Sequence, residues 1–143
     1  MAYDENNIFA KILRDEMPAF RVYENEHVVA FLDVMPQSSG HTLVIPRAAA
    51  ENLFDLDPDV AAAVFRSTQI VARGVRETFR PDGLMLSQFN GAVAGQSVFH
   101  FHMHIVPRYD GVPLRLHGAG MADAAILEEQ AERLRGTLQE MGD

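Results

Sequence analysis

The stretch Gly95-Gln96-Ser97-Val98-Phe99-His100-Phe101-His102-Met103-His104-Ile105-Val106-Pro107-Arg108 decides how the rest of the chain is read. Side chains on an extended strand alternate between faces with a period of two. A strand over Val98 to Val106 therefore puts His100, His102 and His104 on one face, about 7 Å apart between neighbours. Phe99, Phe101, Met103 and Ile105 fall on the other, which packs against a helix. Just upstream, Asn90-Gly91-Ala92-Val93-Ala94-Gly95 is small and flexible, with backbone N–H groups able to turn toward an anion. A lone strand histidine is usually a satisfied polar residue. Three in strict alternation behind a glycine-rich loop are another matter in a chain with six histidines. A metal centre is the nearest rival, since strand His-x-His pairs ligate zinc. Three successive same-face residues on a straight strand diverge, however, and do not converge within ~2.1 Å of one ion without a bend. The ridge reads first as imidazole chemistry, without metal.

Outward from this strand, the elements are short. Ile8, Phe9, Ile12 and Leu13 repeat at helical spacing, with Met17-Pro18 as the stop. Phe20 to Glu24 and Val28 to Asp33 read as strands around the turn Asn25-Glu26-His27. Met35 to Gly40 is turn chemistry, and His41 to Ile45 is a third strand ended by Pro46. Asp57-Pro58-Asp59 starts a helix, with an acidic N-cap and proline in the first turn. Its apolar stripe is Ala61, Val64, Phe65, Thr68, Val71, Ala72, Val75 and Phe79, and Arg80-Pro81-Asp82-Gly83 ends it. Gly83 to Phe89 is a fourth strand. A last helix from about Asp123 to Met141 repeats Leu127, Ala131, Leu134, Leu138 and Met141, with Glu128, Glu129 and Glu132 toward solvent. Five strands with helices around them predict an α+β fold with a mostly antiparallel sheet.

Composition narrows the function. The 143 residues suit one domain over 1–143, with roughly 68–70% of the unfolded surface buried on folding. The chain has no cysteine, which excludes thiol catalysis and Cys-ligated zinc. Twelve basic and 20 acidic residues give a net charge of −8, unsuited to holding DNA or RNA by charge alone. One small phosphorylated ligand remains compatible, because screening beyond ~8–10 Å leaves local donors to decide. The longest apolar run, Val60 to Phe65, is far short of the ~20 residues of a membrane span. The acidic start Met1 to Asn7 does not read as a signal peptide, so the expectation is a cytoplasmic protein.

The pattern from His100 to Val106 resembles the signature of the histidine triad (HIT) superfamily of nucleotide hydrolases and transferases. Ile8-Phe9-Ala10-Lys11-Ile12, Ala30-Phe31-Leu32-Asp33, Pro36-Gln37, Gly40 to Pro46 and Ala94 to Val98 are similar to the same family's other blocks, in the same order. Together they span about residues 8–109. Val106-Pro107-Arg108 resembles the bacterial members and those that cleave dinucleoside polyphosphates. The resemblance implies a homodimer of HIT-like subunits, each with a five-stranded sheet, binding a purine nucleotide and needing no cofactor. Nucleic acid and membrane are not expected partners.

The resemblance also implies roles. His102 is the nucleophile, which suits a neutral imidazole near pH 7. His104 donates to phosphate oxygens, and His100 orients His102 through its backbone carbonyl. His41 stands near the leaving side, and Ser97 serves the leaving group. Asp33 accepts from the ribose hydroxyls, and Ile8, Phe9, Ile12, Phe31, Leu32 and Val34 line the base slot. Asn90, Gly95 and Gln96 belong to the phosphate loop, although the family's amide position falls on Phe89, one residue before Asn90. Asn7 and Ala10 stand where some members carry zinc-binding cysteines, so no such site is expected. His117 has no motif support, and the one role weighed for it is a place at the border of the dimer site. The expected reaction is attack on the α-phosphorus of a phosphoramidate or dinucleoside polyphosphate through a covalent nucleotidyl-histidine. The other reading is a nucleotide-binding partner protein with little turnover.

Overall fold

Residues 28–32, Val-Val-Ala-Phe-Leu, carry no polar position, because the strand they form is buried on both faces. A computed structural model describes residues 2–116 and 120–142, and His117 lies outside the described residues. The strands are β1 (Arg21–Glu24), β2 (Val28–Leu32), β3 (Thr42–Pro46), β4 (Gly83–Ser87) and β5 (Met103–Arg108). They form one sheet in the order β1-β2-β3-β5-β4, antiparallel at every pairing. The helices are α1 (Ile8–Leu13), α2 (Pro58–Phe79) and α3 (Ala124–Met141).

One sheet face presents Ala30, Leu32, Val44 and Ile105 to Val64, Val71 and Val75 of α2 and to Leu127, Ala131, Leu134 and Leu138 of α3. The opposite face presents Val29, Phe31, Leu43 and Ile45 to Phe9 and Ile12 of α1. Each such leucine contributes about 2 kcal/mol by leaving water. Six residues are too few for a helix to persist by itself, so α1 depends on this second packing. The α+β class and the five-stranded antiparallel sheet are those the sequence predicts. No described helix is long and apolar enough to cross a membrane.

Local signals set most boundaries. The Asp57 carboxylate accepts the Asp59 N–H at 2.9 Å, and Pro58 occupies the first turn of α2. Asp123 caps α3 in the same way on Ala125. Gly40 turns the chain into His41 with φ +92°, and a Cβ there would lie 2.8 Å from the Phe79 ring. A side chain at that position meets both backbone strain and a ring, so glycine fixes the approach to β3.

Several expected details are corrected. Helix α1 stops at Leu13, ahead of Met17, because Asp15 takes a left-handed conformation (φ 62°) that closes the turn. Phe65 is 63% exposed, outside the buried stripe of α2. That stripe is Ala63, Val64, Ser67, Thr68, Val71, Gly74 and Val75, turned toward α3 where Gly74 admits Leu138. Met141 is likewise exposed at the end of α3. Strand β5 begins at Met103, five residues after Val98. The strict alternation therefore fails at Phe99, which is exposed, and holds at Phe101, Met103 and Ile105, which pack on the α2 side.

Candidate active site

His104 lies in β5, opposite Leu43 of β3, while His100 and His102 sit in the extended segment just before β5. All three rings are buried, at 0, 6 and 4% exposure for His100, His102 and His104, so they are not an open ridge. The rings of His102 and His104 are 4.8 Å apart, closer than the 7 Å strand repeat, because the side chains lean together. Phe9 of α1 meets His102 edge-on at 4.9 Å and His100 at 6.4 Å.

Hydrogen-bond partners that can act in only one sense determine each ring's tautomer. His102 Nδ1 is 2.7 Å from the His100 carbonyl, which only accepts, so His102 carries a proton on Nδ1, and the neutral ring has its lone pair on Nε2. The Gln37 backbone N–H donates to His41 Nδ1 at 3.0 Å. His41 therefore carries its proton on Nε2 and donates it to His104 Nδ1, also at 3.0 Å. His104 is left with its proton on Nε2. Neighbouring rings thus hold opposite tautomers, one offering a lone pair and the other an N–H. His100 Nε2 donates to the Pro46 carbonyl at 2.8 Å, and the Tyr3 hydroxyl lies 2.5 Å from His100 Nδ1. Burial, foremost, pushes the His100 ring down to about 4, with the nearby His102 acting in the same direction.

A cavity of about 680 Å³ opens beside these rings. Its walls bring together Ile8, Phe9, Ile12, Phe31, Leu32, Asp33, Val34, Ser97, His102 and His104, ten of the residues singled out in the sequence. Apolar surface dominates, with Asp33 at the end of β2 as a buried carboxylate. One Asp33 oxygen accepts the Met35 N–H at 2.9 Å, and the other lies 3.5 Å from His41 Nε2. His41 and His100 stand behind this wall and do not line the cavity. Sequence reasoning missed Leu43, Val98 and the outer wall of Met17, Phe20, Met121, Ala124 and Glu128. Helical periodicity assigns α3 to core and solvent faces, and nothing local in it shows that its first turns border the cavity. Tyr3 carried no motif signal at all.

The loop before the histidines differs from expectation. The N–H groups of Ala94, Gly95 and Gln96 go to the carbonyls of Gly91, Ala92 and Gly91, and the Gly91 N–H goes to Gln96 Oε1 at 2.8 Å. These four donors are used within the loop rather than turned toward an anion. The Gln96 side chain is buried and also donates to the Glu51 and Val98 carbonyls. Asn90 accepts the Leu53 N–H at 2.8 Å and exchanges hydrogen bonds with Gln88. Asn90, Gly95 and Gln96 do not line the cavity. They set the shape of the loop from which Ser97 enters the wall.

The HIT domain profile matches residues 14–111, more than half of the chain. The chain belongs to the HIT family. It is 49% identical over 105 residues to Protein hit of Bacillus subtilis, covering 73% of this chain and 72% of that protein. It is 37% identical over 101 residues to the adenylylsulfatase HINT3 of Arabidopsis thaliana, covering 71% of this chain and 51% of that protein. The crystal structure of a Hit-like protein from Bartonella henselae, with an unknown ligand, superimposes with a TM-score of 0.88 at 45% identity. It covers 95% of this chain and 99% of the other. A zinc-bound histidine triad protein from Mycobacterium smegmatis gives 0.85 at 35% identity, covering 96% of each chain.

Zinc in that HIT relative calls for a test of the donors in this one. Among the described residues, Asp33, His41 and His104 have ligand atoms within 4.8 Å of one another. His41 Nδ1 already accepts the Gln37 N–H, so its Nε2 holds the ring's only proton. Metal binding there would require an imidazolate, and the set fits zinc poorly.

A buried neutral His100 has a thermodynamic signature. Its folded value of about 4 lies below the 6.5 of an unfolded histidine. The resulting stabilisation is complete above pH 6.5 and is lost as pH falls toward 4, a loss of about 3 kcal/mol. NMR titration of the ring checks this directly. The His100 resonances are expected to keep neutral-imidazole shifts down to about pH 4, and a midpoint near 6.5 would contradict the burial argument.

Proposed function

We propose that this HIT protein is a nucleotide-binding hydrolase acting on the α-phosphate of a purine nucleotide conjugate and releasing a nucleoside monophosphate. The observation that carries the reading is the tautomer of His102, whose lone pair sits on Nε2 in a cavity wall next to the N–H of His104. In this reading the base lies among Ile8, Phe9, Ile12, Phe31, Leu32 and Val34. Asp33 accepts from the ribose hydroxyls, as an ionised carboxylate can from two vicinal donors. The apolar slot grips either purine with little discrimination.

His102 Nε2 forms a bond to the α-phosphorus as the bond from phosphorus to the leaving group breaks. The leaving group takes a proton from solvent through the Ser97 hydroxyl, which receives one as it passes one on, so neither neutral histidine is turned into an imidazolate. Water then attacks phosphorus and returns a proton to solvent by the same hydroxyl, the N–P bond breaks with its electron pair going back to Nε2, and the monophosphate departs with His102 restored as neutral imidazole. One difficult displacement becomes two easier ones. His104 Nε2–H faces the charge that builds on the phosphoryl oxygens, and no reorganisation is needed because His41 already holds its tautomer. Asn90, Gly95 and Gln96 act on the nucleotide through the loop that carries Ser97. The leaving group is an amine, a nucleoside polyphosphate or sulfate, the last supported by the likeness to a plant adenylylsulfatase.

Incubation with adenosine phosphoramidate, diadenosine polyphosphate and adenylyl sulfate tests the reading. AMP is expected from at least one of them, with kcat reduced at least about 10³-fold in His102→Ala. No turnover of any, or equal turnover by the variant, would contradict it.

The reading includes a single cytoplasmic domain that works as a homodimer. Support for the dimer comes from β4, an edge strand on which Leu86 is exposed beside Phe65 of α2 and Met85 is exposed on the opposite face. Exposed edges and apolar patches of this kind are ordinarily covered. Sedimentation is expected to give twice 15.9 kDa, and a mass of 15.9 kDa would overturn the dimer.

A further inference from the structure

The histidine that holds His102 is itself held by a residue outside the stretch that matches the HIT profile. Tyr3 comes from the segment before α1 and reaches His100 across 97 positions of sequence. The intervening turn is well tied. The Asn7 N–H and side-chain amide both donate to the Asp4 carbonyl, the Asn6 N–H donates to Asp4 Oδ1, and Arg14 donates to the Glu5 carbonyl. Asn7 then caps α1 on the Ala10 N–H. This turn directs the Tyr3 ring against the edge of His100, with centroids 5.7 Å apart at 70°.

We infer that Tyr3 is a positioning residue of this site: its hydroxyl fixes the ring of His100 and, through it, the backbone carbonyl that orients His102. The inference rests on the hydrolase reading for its kinetic consequence and on geometry alone for the rest. His100 is fastened at three points. Tyr3 O–H donates to Nδ1, Nε2–H donates to the Pro46 carbonyl, and the His100 carbonyl receives the His102 N–H. The next N–H, of Phe101, is anchored on the Ala50 carbonyl at 2.8 Å. With both ring nitrogens engaged, the ring cannot rotate without breaking one buried and one part-buried hydrogen bond, and the peptide that follows it stays aimed at His102. Among the described residues, Tyr3 and His102 are titratable groups in contact with His100. Burial raises the Tyr3 phenol, which therefore keeps its proton and remains a donor. His100 is pushed down to about 4, so its Nδ1 remains an acceptor at neutral pH. Neither Tyr3 nor His100 lines the cavity, so neither contributes to nucleotide affinity directly.

Tyr3→Phe keeps the ring and removes the donor. Losing a hydrogen bond made only to neutral imidazole raises the His100 titration midpoint from about 4 by about one unit. Exchange of the His102 Nδ1 proton accelerates, and kcat falls about 5–10-fold with KM within about twofold. In the unmodified protein, ring ¹⁵N shifts at pH 7 report His100 as the Nε2–H tautomer, a readout that needs neither a variant nor a substrate. A folded Tyr3→Phe protein with unchanged His100 titration, His102 proton exchange and kcat would overturn the inference. So would an Nδ1–H or charged His100 in the unmodified protein. Failure of the unmodified protein to turn over any nucleotide would sink the hydrolase reading and leave the two NMR readouts to decide on Tyr3.

Discussion

A 2.7 Å hydrogen bond from His102 Nδ1 to the carbonyl two residues earlier is the constraint on which the site depends. A carbonyl accepts and never donates, so this contact dictates that Nδ1 carries a proton and, in the neutral ring, leaves the lone pair on the other nitrogen. An imidazole in water exchanges between two tautomers and rotates about two side-chain bonds. Here burial and one backbone acceptor remove both freedoms before any ligand arrives. That is preorganisation in a literal sense, because the nitrogen that faces the cavity with a lone pair is selected by the fold.

The rest of the architecture keeps that carbonyl and its neighbours in place. Antiparallel pairing of β3 with β5 sets Leu43 opposite His104 and brings His41, at the start of β3, against His104. Gly40 delivers His41 through a left-handed turn, and the following chain is buried along its whole length. The Gln37 N–H then fixes His41, which fixes His104. Two chains of single-sense hydrogen bonds, one from Gln37 and one from Tyr3 and Pro46, end on adjacent rings with complementary tautomers. Helix α1 closes the arrangement by laying Phe9 against His102 and by forming one wall of the cavity.

Much of this was legible in the sequence, for physical reasons that differ from residue to residue. Asp57-Pro58 marks a helix start because capping is local chemistry. The three alternating histidines mark a shared face because a strand has period two. Phe99 broke that pattern because β5 begins only at Met103, and strand length is decided by pairing with β3 and β4, not by the strand itself. Phe65 was misplaced because helical periodicity fixes a stripe only to within a residue, while the close approach of Leu138 to Gly74 sets which side faces in. The loop donors were misassigned because the buried Gln96 amide, a long-range partner of Glu51, determines the loop's internal bonding. Tyr3 was invisible because its meaning exists only across 97 residues of folded chain.

The central claim is that His102 attacks phosphorus and carries the nucleotidyl group for a time. Rapid acid-free quenching of the protein during turnover, followed by peptide mass spectrometry, measures this most directly. The account predicts a nucleoside monophosphate adduct on the peptide containing His102, formed and lost at rates that match product release. Steady turnover with no adduct at any time, or an adduct on a different residue, would contradict it.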